Sequence, residues 1–195
     1  MTRRGLRRIE YSLLAAGLAI LGYCGAELLN SHIQQARGAR ELDRQLDQVR
    51  RNPPAVSVAP AAIADGTPVG EVEVPKLHFS AVVFQGTSDG ILAQGVGHLD
   101  ASAFPGQAGN VVLAAHRDTF FRGLRNIRRG DLVQVTTPYG MRTYAVDLTE
   151  VVKPTETSVM ARTATPTLTL ITCYPFYYVG HAPKRFIVRA RPISG

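Results

Sequence analysis

Cys173 is the residue of this chain whose setting most directly suggests covalent chemistry. It ends an apolar and β-branched run that begins at Thr167, and Pro175 follows two residues later. A strand that stops on a cysteine before a proline presents the thiol at the edge of a sheet, where a substrate can reach it. The other cysteine, Cys24, lies in an apolar N-terminal segment, so Cys173 has no evident disulfide partner. This stretch alone leaves a buried, inert thiol in a β core as the alternative.

A nucleophilic cysteine needs a base or a cation beside it, because the thiolate is the attacking form. His116 is the candidate base, since it ends the apolar run 111–115 and therefore lies at a strand end, as Cys173 does. Arg185 begins a third run, and its guanidinium can stabilise a thiolate or a developing oxyanion. Taken one at a time, each residue is also compatible with a structural place on the rim of a barrel.

Two other histidines are weaker candidates for substrate contacts. His98 lies in a glycine-flanked segment that we predict to be a loop, and His181 lies in the loop after Cys173. The sequence predicts no cofactor and no metal site, because no His or Cys pair has ligand spacing. Calcium activation is left open, although the acidic residues Asp147, Glu150 and Glu156 are interpreted as a solvated face.

Short strands must position these side chains. Gly and Pro separate many brief apolar or β-branched runs, and a single longer helical stretch is predicted at 120–128. This pattern favours an all-β barrel or sandwich with minor helices. The predicted strands are residues 72–74, 81–84, 111–115, 132–136, 142–146, 149–153, 167–172 and 185–189.

The N-terminal third has a different composition. Four arginines lie in residues 1–10, ahead of the uncharged apolar run 11–26, and Leu28 and Leu29 extend this run past Glu27. We expect a cytoplasmic basic tail (1–10) and an uncleaved transmembrane anchor (11–29), with a cleaved signal peptide as the alternative. Residues 30–69 are expected to form a solvated juxtamembrane helix and a Pro/Ala-rich linker. The net charge of +7 is explained largely by this topology, and no motif for nucleic-acid binding is visible.

Taken together, these motifs resemble the sortases, the cysteine transpeptidases of bacterial surfaces. The family signature Thr-Leu-x-Thr-Cys is matched by residues 169–173, and the catalytic histidine and arginine of the family correspond to His116 and Arg185. Segments 95–98, 104–110, 173–176 and 180–186 are similar to class D sortases. The resemblance covers about residues 70–192, so that residues 70–195 are expected to be the catalytic domain.

The resemblance implies a closed β-barrel of about eight strands and a defined reaction. Cys173 would attack an LPxTG-like sorting signal after its threonine and form a thioester. An amine on a cell-envelope precursor or on a pilin lysine would then release the product. His116 would transfer the protons, Arg185 would hold the signal and the oxyanion, and Thr172 would help to line the oxyanion site.

The implied partners are surface or pilin proteins with a C-terminal sorting signal, the amine acceptor and the membrane. Two alternatives stay open at this stage. One is a hydrolytic cysteine peptidase on the same scaffold. The other is a membrane-tethered β-domain that binds a peptide without catalysis.

Overall fold

The computed structural model describes residues 3–51, 63–178 and 180–193. The described part of the chain contains a long N-terminal helix, eight strands, one short α-helix and three short 3₁₀ helices. In chain order the elements are α1 (Arg3–Arg51), β1 (Pro68–Val74), a 3₁₀ helix (Pro75–Leu77), β2 (Phe79–Gln85), α2 (Asp89–Leu92), β3 (Val96–His98), β4 (Asn110–Ala114), a 3₁₀ helix (Phe120–Asn126), β5 (Leu132–Thr137), β6 (Gly140–Val152), a 3₁₀ helix (Ser158–Met160), β7 (Thr167–Tyr174) and β8 (Lys184–Pro192).

The eight strands close into a barrel in the order β1-β2-β3-β4-β7-β8-β6-β5. Two of the pairs, β2 with β3 and β4 with β7, are parallel, and the other pairs are antiparallel. Closure removes the unpaired edges that an open sheet would expose. The expectation of a closed, eight-stranded β-barrel with short helices is therefore confirmed.

Two of the predicted strands differ from those in the structure. Residues 142–146 and 149–153 were expected to be separate, but they belong to the single strand β6, which stays paired with β8 across a register shift between Val146 and Leu148. Asp147 lies at that shift, and Arg189 and Arg191 of β8 donate hydrogen bonds to its carboxylate. Burial raises the pKa of Asp147, but these two arginines lower it more, so the carboxylate stays charged.

Strand β3 was not predicted at all, because His98 was assigned to a loop. This three-residue strand contains a glycine, Gly97, and its segment lacks the β-branched run by which strands are recognised. A Cβ at position 97 would collide with the carbonyl oxygen of Gly86, the residue after β2, so the close approach of the two backbones requires a glycine there. The predicted hairpin turn at residues 137–140 is present, and the predicted helix at 120–128 is a 3₁₀ helix.

Helix α1 runs without interruption through the segments predicted as anchor and juxtamembrane helix. Among the residues that the structure describes, no helix combines the length and the apolar character needed to cross a membrane. The predicted anchor at residues 11–29 thus gains no support from the structure. Of the predicted linker, which extends from residue 52 to residue 69, residues 52–62 lie outside the described residues. Strand β1 begins at Pro68, inside the predicted linker.

The expectation that residues 31–51 are only a solvated helix is wrong, because this part of α1 packs on the barrel. Leu42 is 3% exposed, and Gly38 lies against Phe84 and Val82 on the outer face of β2. Gln35 accepts a hydrogen bond from the Val82 backbone N–H (3.0 Å) and donates one to the Gln94 carbonyl (2.5 Å). A glycine and a glutamine make these contacts, which explains why the sequence shows no strong apolar face here.

The contact at Gly38 predicts how α1 can be detached. A Cβ at position 38 would lie 2.8 Å from the Phe84 ring, whereas position 17 of the same helix has no neighbour within 4 Å. We expect Gly38→Leu to displace the helix and to raise amide hydrogen exchange at Val82 by about tenfold or more, with the barrel core still protected. Gly17→Leu is the matched control, and it should leave exchange at Val82 unchanged. Equal protection of Val82 in both variants would show that the docking does not depend on Gly38.

Candidate active site

Strand β7 places Cys173 by the simple alternation of its side chains. Leu168 and Leu170 are fully buried in the barrel core, and Thr172, 2% exposed, follows them on the same face. Cys173 therefore points to the opposite face, where it is partly exposed and is a free thiol. The strand ends at Tyr174, and Pro175 cannot continue the backbone ladder. Cys173 is thus presented at the end of a strand, with its thiol open to the surface.

The parallel pairing of β4 with β7 brings His116 to the same edge. Ala114 of β4 is the partner of Ile171, and the Ala115 N–H donates to the Ile171 carbonyl at 3.2 Å. His116 lies two residues beyond Ala114, and Cys173 lies two residues beyond Ile171. Because the register of two parallel strands advances by one residue on each strand, His116 and Cys173 lie side by side at the same end of the sheet.

The antiparallel pairing of β7 with β8 places the arginine. Cys173 and Arg185 are direct partners in the register. Side chains of directly opposed residues share one face and have Cβ atoms about 5 Å apart. The guanidinium of Arg185 donates from Nη1 to the carbonyls of Ala182 (3.2 Å) and Lys184 (3.0 Å). Among the described residues no hydrogen bond engages its other donors, which we expect to face a ligand that enters beside Cys173.

These three side chains line one cavity at the surface of the barrel. The cavity also includes His181, so this predicted residue lies beside Cys173, on the loop between β7 and β8. The complete lining is His116, Arg117, Asp118, Cys173, Gly180, His181, Ala182 and Arg185. A thiol, an imidazole and a guanidinium around one opening supply the nucleophile, the proton carrier and the oxyanion donor that acyl transfer requires.

Thr172 does not reach this cavity, which contradicts its predicted place in the oxyanion site. Its hydroxyl is buried and donates to the Ala115 carbonyl at 2.7 Å. Because side chains alternate along a strand, a residue next to an outward cysteine must point inward. Thr172 instead joins the end of β7 to the residue before His116, and so it holds two of the site's strands together.

His98 is also remote from the cavity, so the structure does not support its predicted contact with substrate. The side chain is 2% exposed, and Nδ1 lies 3.0 Å from Gln85 Oε1. Nε2 lies 3.0 Å from the Ala103 carbonyl. Burial lowers the pKa of His98, and the contact with the Ala103 carbonyl and the nearby Asp100 carboxylate offset only part of this effect. His98 therefore serves as an internal hydrogen-bonding group at the end of β3, where it joins Gln85 at the end of β2 to Ala103 in the loop after β3.

Arg117 is a residue of the cavity that sequence reasoning did not single out. Its Nη2 donates to the backbone carbonyls of Tyr178 (2.6 Å) and Gly180 (3.0 Å), in the loop between β7 and β8. Its place next to His116 was the signal that could have drawn attention to it. Among the described residues no cluster of His, Cys, Asp and Glu is suited to hold a metal ion.

Comparison with known proteins agrees with this arrangement. The Sortase domain family model matches residues 72–193. A Sortase D of Bacillus subtilis (strain 168) is 32% identical over 194 residues, which cover 95% of this chain and 98% of the relative.

The chain belongs to the sortase family. Members of this family are cysteine transpeptidases, and the similarity to the Bacillus protein agrees with the predicted resemblance to class D. Among solved structures, a Clostridium perfringens sortase C with the C-terminal cell wall sorting motif has a TM-score of 0.64 at 26% identity, over 80% of this chain and 89% of that one. A Clostridium perfringens Sortase D5 transpeptidase has a TM-score of 0.70 at 22% identity, over 83% and 99%, which shows the shared fold.

The buried hydroxyl of Thr172 generates a prediction for this sortase. Thr172→Val keeps the shape of the side chain but removes the hydroxyl that donates to the Ala115 carbonyl. We therefore expect the free energy of unfolding to fall by about 1–3 kcal/mol. Chemical denaturation measures this difference. Thr149→Val on the exposed surface of β6 is the matched control and should change stability by less than about 0.5 kcal/mol. A similar small effect at both positions would mean that the bond to Ala115 does not hold the strand ends together.

Proposed function

We propose that this sortase cleaves an LPxTG-like sorting signal after its threonine and transfers the protein to an amine. The observation that carries the proposal is the convergence of Cys173, His116 and Arg185 on one cavity, through the registers of β4, β7 and β8. The Clostridium sortase C solved with a sorting motif supports a signal of this kind. We assign these three side chains the following roles in the two steps of the reaction.

In the first step the Cys173 thiolate attacks the carbonyl carbon of the signal's threonine. The carbonyl oxygen becomes an oxyanion, which Arg185 stabilises by hydrogen bonds from its guanidinium. The carbon–nitrogen bond then breaks, and the His116 imidazolium gives its proton to the departing amine. The products of this step are a thioester on Cys173, a neutral imidazole and the released C-terminal fragment of the signal.

In the second step an amine displaces the sulfur of Cys173 from the acyl group. The amine nitrogen attacks the thioester carbonyl, and neutral His116 accepts the proton that the nitrogen loses. The carbon–sulfur bond breaks, and Cys173 leaves as a thiolate. A new amide bond joins the protein to the acceptor, and the charged pair of thiolate and imidazolium is restored.

The part of the signal before the threonine is proposed to lie along the same face of the sheet. Below Cys173, this face continues through Ile171 and Thr169 of β7 and through Ile187 of β8. A second cavity opens there, between these strands and the segment after β6, and Val159 and Arg162 belong to its lining. An extended peptide in this groove would place its C-terminal end at the cysteine.

The acceptor is proposed to be an amine of a cell-envelope precursor or a pilin lysine. We also propose that residues 1–10 are cytoplasmic, that residues 11–29 anchor the protein in the membrane and that residues 70–195 act outside the cytoplasm. This location rests on the arginines ahead of the apolar run and on the family's role at bacterial surfaces.

The proposal is tested by mass spectrometry of the purified chain incubated with LPxTG- and LPxTA-type peptides, with and without triglycine. We expect an adduct on Cys173 that is converted to a triglycine-linked product. Cys173→Ala should form no adduct, and Arg185→Lys should slow product formation by about 100-fold or more. Cys24→Ser is the control and should react as the parent does.

Three results would contradict this function. Peptide cleavage that persists in Cys173→Ala would exclude a cysteine mechanism. An adduct that is released only by water at every triglycine concentration would favour the hydrolytic peptidase. Binding of the peptides without any adduct, by folded protein with a free thiol, would favour the non-catalytic β-domain.

A further inference from the structure

The loop between β7 and β8 forms one wall of the catalytic cavity. Its described residues are 175–178 and 180–183, and it connects the strand that carries Cys173 to the strand that begins at Lys184. The facing wall is the segment after β4, which carries His116, Arg117 and Asp118. The width of the cavity therefore depends on how these two walls are held relative to each other.

Both ends of the loop are anchored by local contacts. At its start, Tyr174 and Phe176 pack against Phe186, with ring centroids 6.3 Å and 5.3 Å from that of Phe186. At its end, Arg185 donates to the Ala182 carbonyl. These contacts lie on the β7 and β8 side of the cavity, and none of them crosses to the wall that carries His116.

Arg117 supplies the crossing contact. Its Nη2 donates to the carbonyls of Tyr178 and Gly180, and its guanidinium carbon lies 5.8 Å from the centroid of the Tyr178 ring. No salt bridge engages Arg117 among the described residues, and Nη2 alone donates to both carbonyls of the opposite wall. The buried Nη1 has no hydrogen-bond partner among the described residues. A second arginine, Arg125, lies 5.2 Å from the Tyr177 ring and reinforces the same loop at its exposed tip.

We propose that Arg117 is a positioning residue that fixes the width of the catalytic cavity and thereby favours an amine over water as the acceptor. The inference rests on the proposed function. A thioester on Cys173 is attacked by whichever nucleophile is held in line with it, and a positioned amine competes with concentrated water only when the cavity orients it. Without the bond across the cavity, the loop that carries His181 and Ala182 separates from the His116 wall, and water gains access.

The test compares Arg117→Met with Arg117→Lys and with Arg122→Met. Arg122 is an exposed arginine of the neighbouring 3₁₀ helix, outside the cavity lining, and it provides the control for the loss of one positive charge. The readouts are the rate of adduct formation on Cys173 and the ratio of triglycine transfer to hydrolysis. We expect Arg117→Met to lower that ratio by about tenfold, while adduct formation changes by less than about threefold.

Arg117→Lys retains the charge but replaces the rigid guanidinium, which holds Nη2 between the two carbonyls, with a flexible ammonium group, so it should recover only part of the ratio. Arg122→Met should behave as the parent does. An unchanged ratio in Arg117→Met would overturn the proposal. Adduct formation that falls as far as transfer would also overturn it, because Arg117 would then act on the first step.

A second measurement does not depend on the reaction. Hydrogen exchange of the unreacted protein should show faster exchange in residues 175–183 of Arg117→Met, with β7 and β8 as protected as in the parent. If the parent forms no adduct with any peptide but this loop still loosens, the proposed function fails while the structural role of Arg117 stands. If exchange in the loop is unchanged, Arg117 does not hold it.

Discussion

The catalytic arrangement depends on the backbone pairing of one strand, β7. It is hydrogen-bonded to β4 on one side in the parallel sense and to β8 on the other in the antiparallel sense. The parallel register sets the level of His116, and the antiparallel register sets Arg185 directly opposite Cys173. A slip of one residue would turn Cys173 into the core and Thr172 outward, because side chains alternate along a strand. The buried leucines of β7 and the bond from Thr172 to Ala115 oppose that slip.

The other strands, helix α1 and Arg117 support the end of the barrel where Cys173 lies. Closure of the barrel leaves β7 with a partner on each side, so both of its registers are fixed by neighbouring strands. Helix α1 covers the outer face of β2, on the other side of the β3 and β4 pair from the cavity. On the site itself, Arg117 connects the segment after β4 to the loop after β7. The cavity is thus bounded by the ends of β7 and β8, by the segment after β4 and by one loop that side-chain contacts hold in place.

Much of this could be predicted from the sequence. The apolar runs that end at Cys173 and His116 identify two strand ends, and the closed eight-stranded barrel is the one expected. The predicted number of strands nevertheless equals the observed number only because two errors offset each other. The prediction divided β6 into two strands at Asp147, and it missed β3. Both mistakes have a physical origin, because a bulge inside a paired strand looks like a turn, and a three-residue strand stabilised by its neighbours has no periodicity of its own.

The side-chain partners were harder to anticipate. Histidine is a residue type that often serves in catalysis or binding. His98 is instead buried between Gln85 of β2 and the Ala103 carbonyl in the loop after β3, and its role is structural. Helix α1 docks through Gly38 and Gln35, and neither residue type signals a packed face. Arg117 acts on carbonyl groups about sixty residues away, a contact that only the closed barrel creates. The contacts of α1 and Arg117 join residues that are far apart in sequence, and the contact of His98 with Gln85 depends on the pairing of β3 with β2. Local patterns therefore carry little information about them.

The most direct test of the account is the structure of this sortase with a sorting-signal peptide joined to Cys173 through the carbonyl carbon of its threonine. We expect the peptide to lie along Ile171 and Thr169, with the threonine carbonyl oxygen within hydrogen-bond distance of Arg185. His116 should lie on the side of the departing amine. A peptide that leaves the cysteine in another direction, or a carbonyl oxygen that Arg185 does not contact, would contradict it.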